Sequence, residues 1–169
     1  MIHPRVIQAA PVERPDRRRR QQEFKMTDND DLERFAAGIE NEFNSGFSAV
    51  VLDHAMNPRN VGRIEEEDGF AVFTGPCGDT MMISVRVCDG RIAEAGFWTD
   101  GCGTSIASGS MVTEMAKGRT LDEAMEVGQA EVLEELNGLP EESEHCALLA
   151  ATTLHLALKE FLEKEKKGR

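Results

Sequence analysis

A chain of 169 residues with a formal net charge of −12, 30% charged residues and only 5% aromatics has the size of one domain plus a tail. Such a chain buries a core without disulfides or a structural metal. Its acid excess argues against nucleic acid and anionic membrane as partners. No apolar run reaches the length of a membrane span, and the N-terminus lacks the apolar core of a secretory signal, so the chain reads as cytoplasmic.

Residues 1–44 read as an N-terminal tail, largely disordered. Up to Lys25 it holds seven basic residues, four of them in the run Arg17 to Arg20, against three acidic ones, with three prolines and no periodicity. Met26 is an alternative start. Between Asp31 and Asn44, Leu32, Phe35, Ala36 and Ile39 keep the spacing of a short helix that Gly38 weakens.

The domain proper is placed at residues 45–169. Its first helix runs from Ser48 to Met56 and stops at Asn57-Pro58, because the residue before proline is pushed out of the helical region. From Gly69 the period changes to two. Phe70–Thr74 and Thr80–Cys88 read as strands. In the second, Met81, Ile83, Val85 and Val87 share one face while Met82, Ser84, Arg86 and Cys88 share the other. Asp89-Gly90 is a two-residue hairpin signal, so Arg91–Thr99 returns antiparallel. The geometry of two hairpins puts Cys77, in the loop Gly75–Asp79, and Cys102, just beyond the third strand, at one end of the sheet. A helix follows from Thr104 to Lys117 with Gly118 as its C-cap. Thr120 to Glu123 is a capping box opening the next, and a further helix spans about Ala130–Asn137. The last runs from about His145 to Lys164, with Ala147, Ala150, Ala151, Leu154, Leu158 and Phe161 as its packing stripe.

Three of the four cysteines thus sit in loops or at helix starts. Cys77 has Gly78 and Asp79 beside it, Cys102 lies between Gly101 and Gly103, and Cys146 follows His145. A helix N-terminus favours thiolate at Cys102 and at Cys146. Taken alone, Cys102 reads equally well as a buried cysteine at a tight turn. Three thiolates, a carboxylate and an imidazole suit zinc, or an iron–sulfur cluster with one weaker ligand. No CxxC pair is present, so spacing alone does not bring these residues together. Cys88, in a regular strand, and His54 and His155, on apolar helix faces, read as structural.

The residues from Phe47 to Leu162 closely resemble the IscU/NifU-type iron–sulfur cluster assembly scaffolds. The resemblance rests on Asp53-His54 before Asn57-Pro58-Arg59-Asn60-Val61-Gly62, then Cys77-Gly78-Asp79, then Gly101-Cys102-Gly103 with Ala107-Ser108. It continues through Thr113-Glu114, Lys117-Gly118 and Leu121-Asp122-Glu123-Ala124 to His145-Cys146. It implies an α+β fold, a three-stranded antiparallel sheet packed against several α-helices with a long C-terminal helix, in agreement with the reading above. It also implies a carrier rather than an enzyme. A cysteine desulfurase would supply sulfur and an iron donor iron. A labile [2Fe–2S] cluster would be built on Cys77, Cys102 and Cys146 and passed to acceptor apoproteins. Asp79 would keep the cluster labile, His145 would exchange as a ligand or proton donor, and Zn²⁺ would occupy the cluster-free site. The resemblance allows a homodimer. Leu139-Pro140-Glu141-Glu142-Ser143 departs from the family's Leu-Pro-Pro-Val-Lys motif, which puts docking of the dedicated chaperone in doubt. Met82 replaces a lysine found in many members. A zinc-dependent sulfurtransferase of the SufU type is the alternative, less favoured because His145 stands where those proteins carry arginine and their insertion is absent. A structural zinc domain for protein interactions is a third reading.

Overall fold

The computed structural model describes residues 46–167. The tail and the Asp31–Asn44 helix expected from the sequence lie outside them.

Helix α1, Ala49–Met56, is opened by Ser48, whose hydroxyl accepts from the Val51 amide and donates to the Leu136 carbonyl. One side chain therefore caps the helix and ties it to a distant segment. Three strands follow, β1 Gly69–Thr74, β2 Thr80–Cys88 and β3 Arg91–Thr99, in a single antiparallel sheet of order β1-β2-β3. Asp89 and Gly90 have φ of +52° and +73°. Positive φ at both central residues is the mirror-image turn whose twist matches flanking strands, so the Asp-Gly signal has its expected meaning.

Helix α2, Gly103–Ala116, begins four residues after β3, and the chain leaves it through Gly118 at φ +79°. Then come α3, Leu121–Met125, with the reciprocal Thr120–Glu123 capping box, and α4, Gln129–Glu135. A short 3₁₀ turn, Glu141–Ser143, leads into α5, Glu144–Lys167.

The core lies between one face of the sheet and the helices. Met81, Ile83, Val85, Ile92 and Phe97 face Ala107 and Val112 of α2 and Ala147, Ala150, Leu154, Ala157 and Leu158 of α5, all buried. Each of the large side chains contributes roughly 1.5–3 kcal/mol. Small residues set how closely the layers meet. A Cβ at Gly109 would enter the Phe97 ring, and one at Gly69 would meet the Ala157 carbonyl.

Two side chains depart from the alternation expected in β2. The register shifts between Arg86 and Val87, and Val87 is only half-buried instead of completing the Met81, Ile83, Val85 row. An irregularity of this kind breaks the two-residue period locally. Ser84, expected on the open face, is fully buried because the loop after α1 crosses it. The Ile64 amide donates to Ser84 Oγ at 3.0 Å, and Gly96, opposite Ser84 in the register, leaves room for the Gly62 carbonyl. Beyond that loop the open face carries the row Val72, Met82 and Trp98.

Candidate metal centre

Three separate elements converge at the end of the sheet where β1 meets β2. The first is the hairpin loop, closed by Gly75 N–H to the Asp79 carbonyl at 2.9 Å and Gly78 N–H to the Gly75 carbonyl at 3.0 Å, with Gly78 at φ +92°. The second is the β3–α2 junction. It is stitched to the hairpin by the Thr80 amide donating to Asp100 Oδ1 at 2.7 Å and by Thr99 Oγ1 donating to the Thr80 carbonyl at 2.8 Å. The third is the first turn of α5. Together they place ligand atoms of Asp79, Cys102 and Cys146 within 4.8 Å of one another. Two soft sulfurs and one hard oxygen at that separation form a donor set able to hold a thiophilic ion.

Of the residues expected from the sequence, Asp79, Cys102 and Cys146 come together, and two stand beside them. Cys77 is exposed, its sulfur beside Gly75, and is not among the three clustered donors. Sharing an end of the sheet does not by itself put Cys77 in the clustered set: Gly78, at φ +92°, lies between Cys77 and Asp79, and the Cys77 thiol is exposed. His145 is also exposed, with Nε2 at 3.6 Å from Cys146 Sγ, adjacent to the set but outside it. Cys88 lies at the opposite hairpin, its sulfur 3.7 Å from Asp89 Oδ2.

The two clustered thiols differ in character. Cys102 is the N-cap of α2 and exposed. Partial burial would raise its pKa, but hydrogen bonds from the Thr104 hydroxyl and from the backbone and hydroxyl of Ser105 outweigh it and hold the thiol below its ordinary value. The backbone donors, the amides of Thr104 and Ser105, are among the first free amides of a helix, which face an anion. The thiolate expected at Cys146 is not favoured in the same way. Cys146 is 1% exposed, and burial pushes its pKa up against the hydroxyls of Ser105 and Thr104, with Cys102 and Asp79 adding to the rise. Being the third residue of α5 does not compensate for loss of water. Alkylation with iodoacetamide near neutral pH is expected to modify Cys102 well before Cys146. The Cys102 rate should persist as pH falls below the ordinary thiol range, and Cys146 should react only as pH rises. Peptide mass spectrometry resolves the two, and equal rates would contradict this difference.

The sequence reading gave no role to Thr104 and Ser105. Thr104 Oγ1 lies 2.9 Å from Cys102 Sγ and 3.4 Å from Cys146 Sγ, and Ser105 Oγ lies 2.7 Å from Asp79 Oδ2 and 3.4 Å from Cys146 Sγ. Two buried hydroxyls thus link all three donors. Their signal was the pair of hydroxylic residues in the first turn of a helix whose N-cap is cysteine.

The Asp53 to Gly62 stretch serves the fold behind the site. His54 Nδ1 is 2.8 Å from Ser110 Oγ, which also accepts from the Arg59 amide at 2.9 Å. Desolvation by burial lowers the His54 pKa. Asn60, left-handed at φ +62°, donates to Thr113 Oγ1 and Glu114 Oε1 on α2. The loop thereby clamps the helix whose first residue follows Cys102.

The NifU-like N terminal domain family matches residues 46–168. The iron-sulfur cluster assembly scaffold protein IscU 1 of Archaeoglobus fulgidus is 46% identical over 122 residues, covering 72% of this chain and 80% of its own. The scaffold protein IscU of Escherichia coli K12 is 41% identical over 125 residues, covering 71% and 97%. Among solved structures, a nitrogen-fixing NifU-like protein (N-terminal) from Brucella abortus superposes with a TM-score of 0.56 over 69% of this chain and 94% of that one, at 22% identity, a likeness of fold. With the family model spanning residues 46–168 and relatives 41–46% identical over most of that span, the chain belongs to the NifU-like N terminal domain family.

Proposed function

We propose that this protein is a scaffold on which iron–sulfur clusters are assembled and from which they are handed to acceptor apoproteins. The observation that carries the reading is the convergence of Asp79, Cys102 and Cys146 from three elements of the fold, with ligand atoms within 4.8 Å. The scaffold names of the curated relatives support it.

Cys102, exposed and with the lowered thiol pKa, is the group suited to accept sulfur. Its thiolate attacks the terminal sulfur of a persulfide carried by a cysteine desulfurase. A new S–S bond forms on Cys102, and the desulfurase cysteine leaves as thiolate. Fe²⁺ from an iron donor then meets Cys102, Cys146 and Asp79. Two electrons from an external reductant convert each sulfane sulfur to bridging sulfide, giving a [2Fe–2S] cluster. Cys77 completes the ligand set by movement of its exposed loop, and the exposed His145 exchanges with Asp79 as ligand or proton donor. Burial favours neutral Cys146 before metal arrives, so its proton leaves on ligation. Asp79 supplies the hard oxygen that keeps the cluster exchangeable. The same donors accept Zn²⁺ when no cluster is present. In this reading the protein is a carrier without turnover of its own. Among the described residues no helix is long and apolar enough to cross a membrane. The SufU-like relay of sulfur around a fixed zinc is not favoured, since the curated relatives carry the scaffold name.

Anaerobic reconstitution with iron, sulfide and a desulfurase is expected to give visible cluster absorption that an acceptor apoprotein removes. Asp79→Ala should lengthen the life of that cluster. A protein that takes up only zinc under these conditions would overturn the scaffold reading, and an Asp79→Ala cluster lost faster than the wild-type one would overturn the role of Asp79.

A further inference from the structure

Ser105 is the third residue of α2 and fully buried. Its hydroxyl donates to Asp79 Oδ2 at 2.7 Å, a much closer approach than the 3.4 Å to Cys146 Sγ. A hydrogen bond from a buried hydroxyl to a carboxylate is among the stronger kinds and fixes the acceptor's orientation. The backbone is cut to fit this pair. A Cβ at Gly101 would overlap Asp79 Oδ2, Ser105 Oγ and Ser105 Cβ together. Gly101 is thus the gap through which the carboxylate reaches the hydroxyl, and its φ is not one that demands glycine. Asp79 is one of the three donors whose ligand atoms lie within 4.8 Å of one another, so the bond holds a carboxylate that already faces Cys102 and Cys146.

We propose that Ser105 is a positioning residue of this centre: its hydroxyl aims the Asp79 carboxylate at the metal and thereby sets how readily the cargo leaves. The proposal rests on the reading of Asp79 as a ligand. Groups that orient a metal ligand typically change affinity by about 10–100-fold when removed. If Ser105 acts only through Asp79, its effect vanishes once Asp79 is gone.

The test is a double-mutant cycle in the full chain, with Co²⁺ as the probe, titrated anaerobically into wild type, Ser105→Ala, Asp79→Ala and the double variant. Thermal melts of the metal-free proteins establish that all four are folded. Ser105→Ala is expected to weaken Co²⁺ about tenfold with Asp79 present and less than about twofold with Asp79 replaced by alanine. The sulfur-to-cobalt charge-transfer bands should survive in all four, since both cysteines remain, while the ligand-field bands of Ser105→Ala move toward those of Asp79→Ala. A Ser105→Ala affinity within about twofold of wild type, or the same loss in both backgrounds, overturns the proposal. In a second arm, the cluster on Ser105→Ala should pass to an apo-[2Fe–2S] ferredoxin more slowly than from wild type, approaching Asp79→Ala. Equal or faster transfer also overturns it. If no variant, wild type included, assembles a cluster, the scaffold reading fails and the Co²⁺ cycle alone decides the role of Ser105.

Discussion

Replacing Cys102 by serine is expected to leave the protein folded and unable to hold a cluster. Cys102 is the N-cap of α2. Serine is among the preferred residues at that position, and its oxygen accepts well from the amides two and three residues on. The fold should therefore be unharmed or slightly firmer, with an unchanged or raised melting temperature. The chemistry is lost, because a hydroxyl near neutral pH supplies neither the nucleophile for sulfur transfer nor a thiolate ligand. Visible absorption after reconstitution should fall at least about tenfold, as expected when a soft ligand of the centre is removed. Cys88→Ala, altering an exposed thiol at the far hairpin, is the control that should assemble as wild type does. Undiminished cluster formation by Cys102→Ser would remove Cys102 from the site.

The largest effect on stability is expected from Phe97→Ala, at about 3–5 kcal/mol. The ring is 2% exposed and rests on α2 at Gly109. No side chain at Gly109 can move in to fill the space the ring would leave. The Phe97 backbone also receives the loop after α1, accepting from the Gly62 amide at 2.7 Å and donating to the Asn60 carbonyl at 2.9 Å. A displaced strand would therefore loosen the clamp on α2 as well. Urea unfolding monitored by far-ultraviolet circular dichroism should show a large drop in midpoint, with Phe97→Leu recovering most of it. A loss below about 1 kcal/mol would mean that the core collapses around the void.

The parts of this fold that were legible in the sequence are those written by local chemistry. The Asp89-Gly90 turn fixed two strands and their pairing, Asn57-Pro58 ended α1, and Thr120 with Glu123 opened α3. Hairpin geometry brought the Gly75–Asp79 loop, with Cys77, and Cys102 to one end of the sheet. What could not be read there depended on approaches between distant segments. Ser84 alternates as an outward residue and is buried only because a loop passes over it. Cys146 sits at a helix start, where local rules favour thiolate, yet packing of α5 removes its water and reverses the preference. Cys77 shares that end of the sheet but, exposed in its loop, is not among the clustered donors. No spacing argument could bring the start of α5 to the same place, and only the resemblance joined Cys146 to Cys102 and Asp79 in one set. Thr104 and Ser105 went unnoticed because a hydroxyl has no chemistry of its own until its neighbours are known.

The loop that buries Ser84 bears on how this sheet ends. Asn60 and Gly62 hydrogen-bond the Phe97 backbone in a parallel bridge between Val61 and Phe97, and farther along β3 the Ile92 amide and carbonyl pair with Arg119 and Gly118. Both halves of the outer edge of β3 are thereby occupied by irregular chain. On the opposite edge, β1 is six residues long and has its Phe70 amide taken by Glu160 of α5. A sheet with one edge covered by irregular chain and a short strand at the other resists growth by strand addition and the aggregation that follows from it. For a protein that must keep an exposed thiol and an open apolar row at the surface while partners come and go, edge closure lets other chains meet its side chains without templating on its backbone.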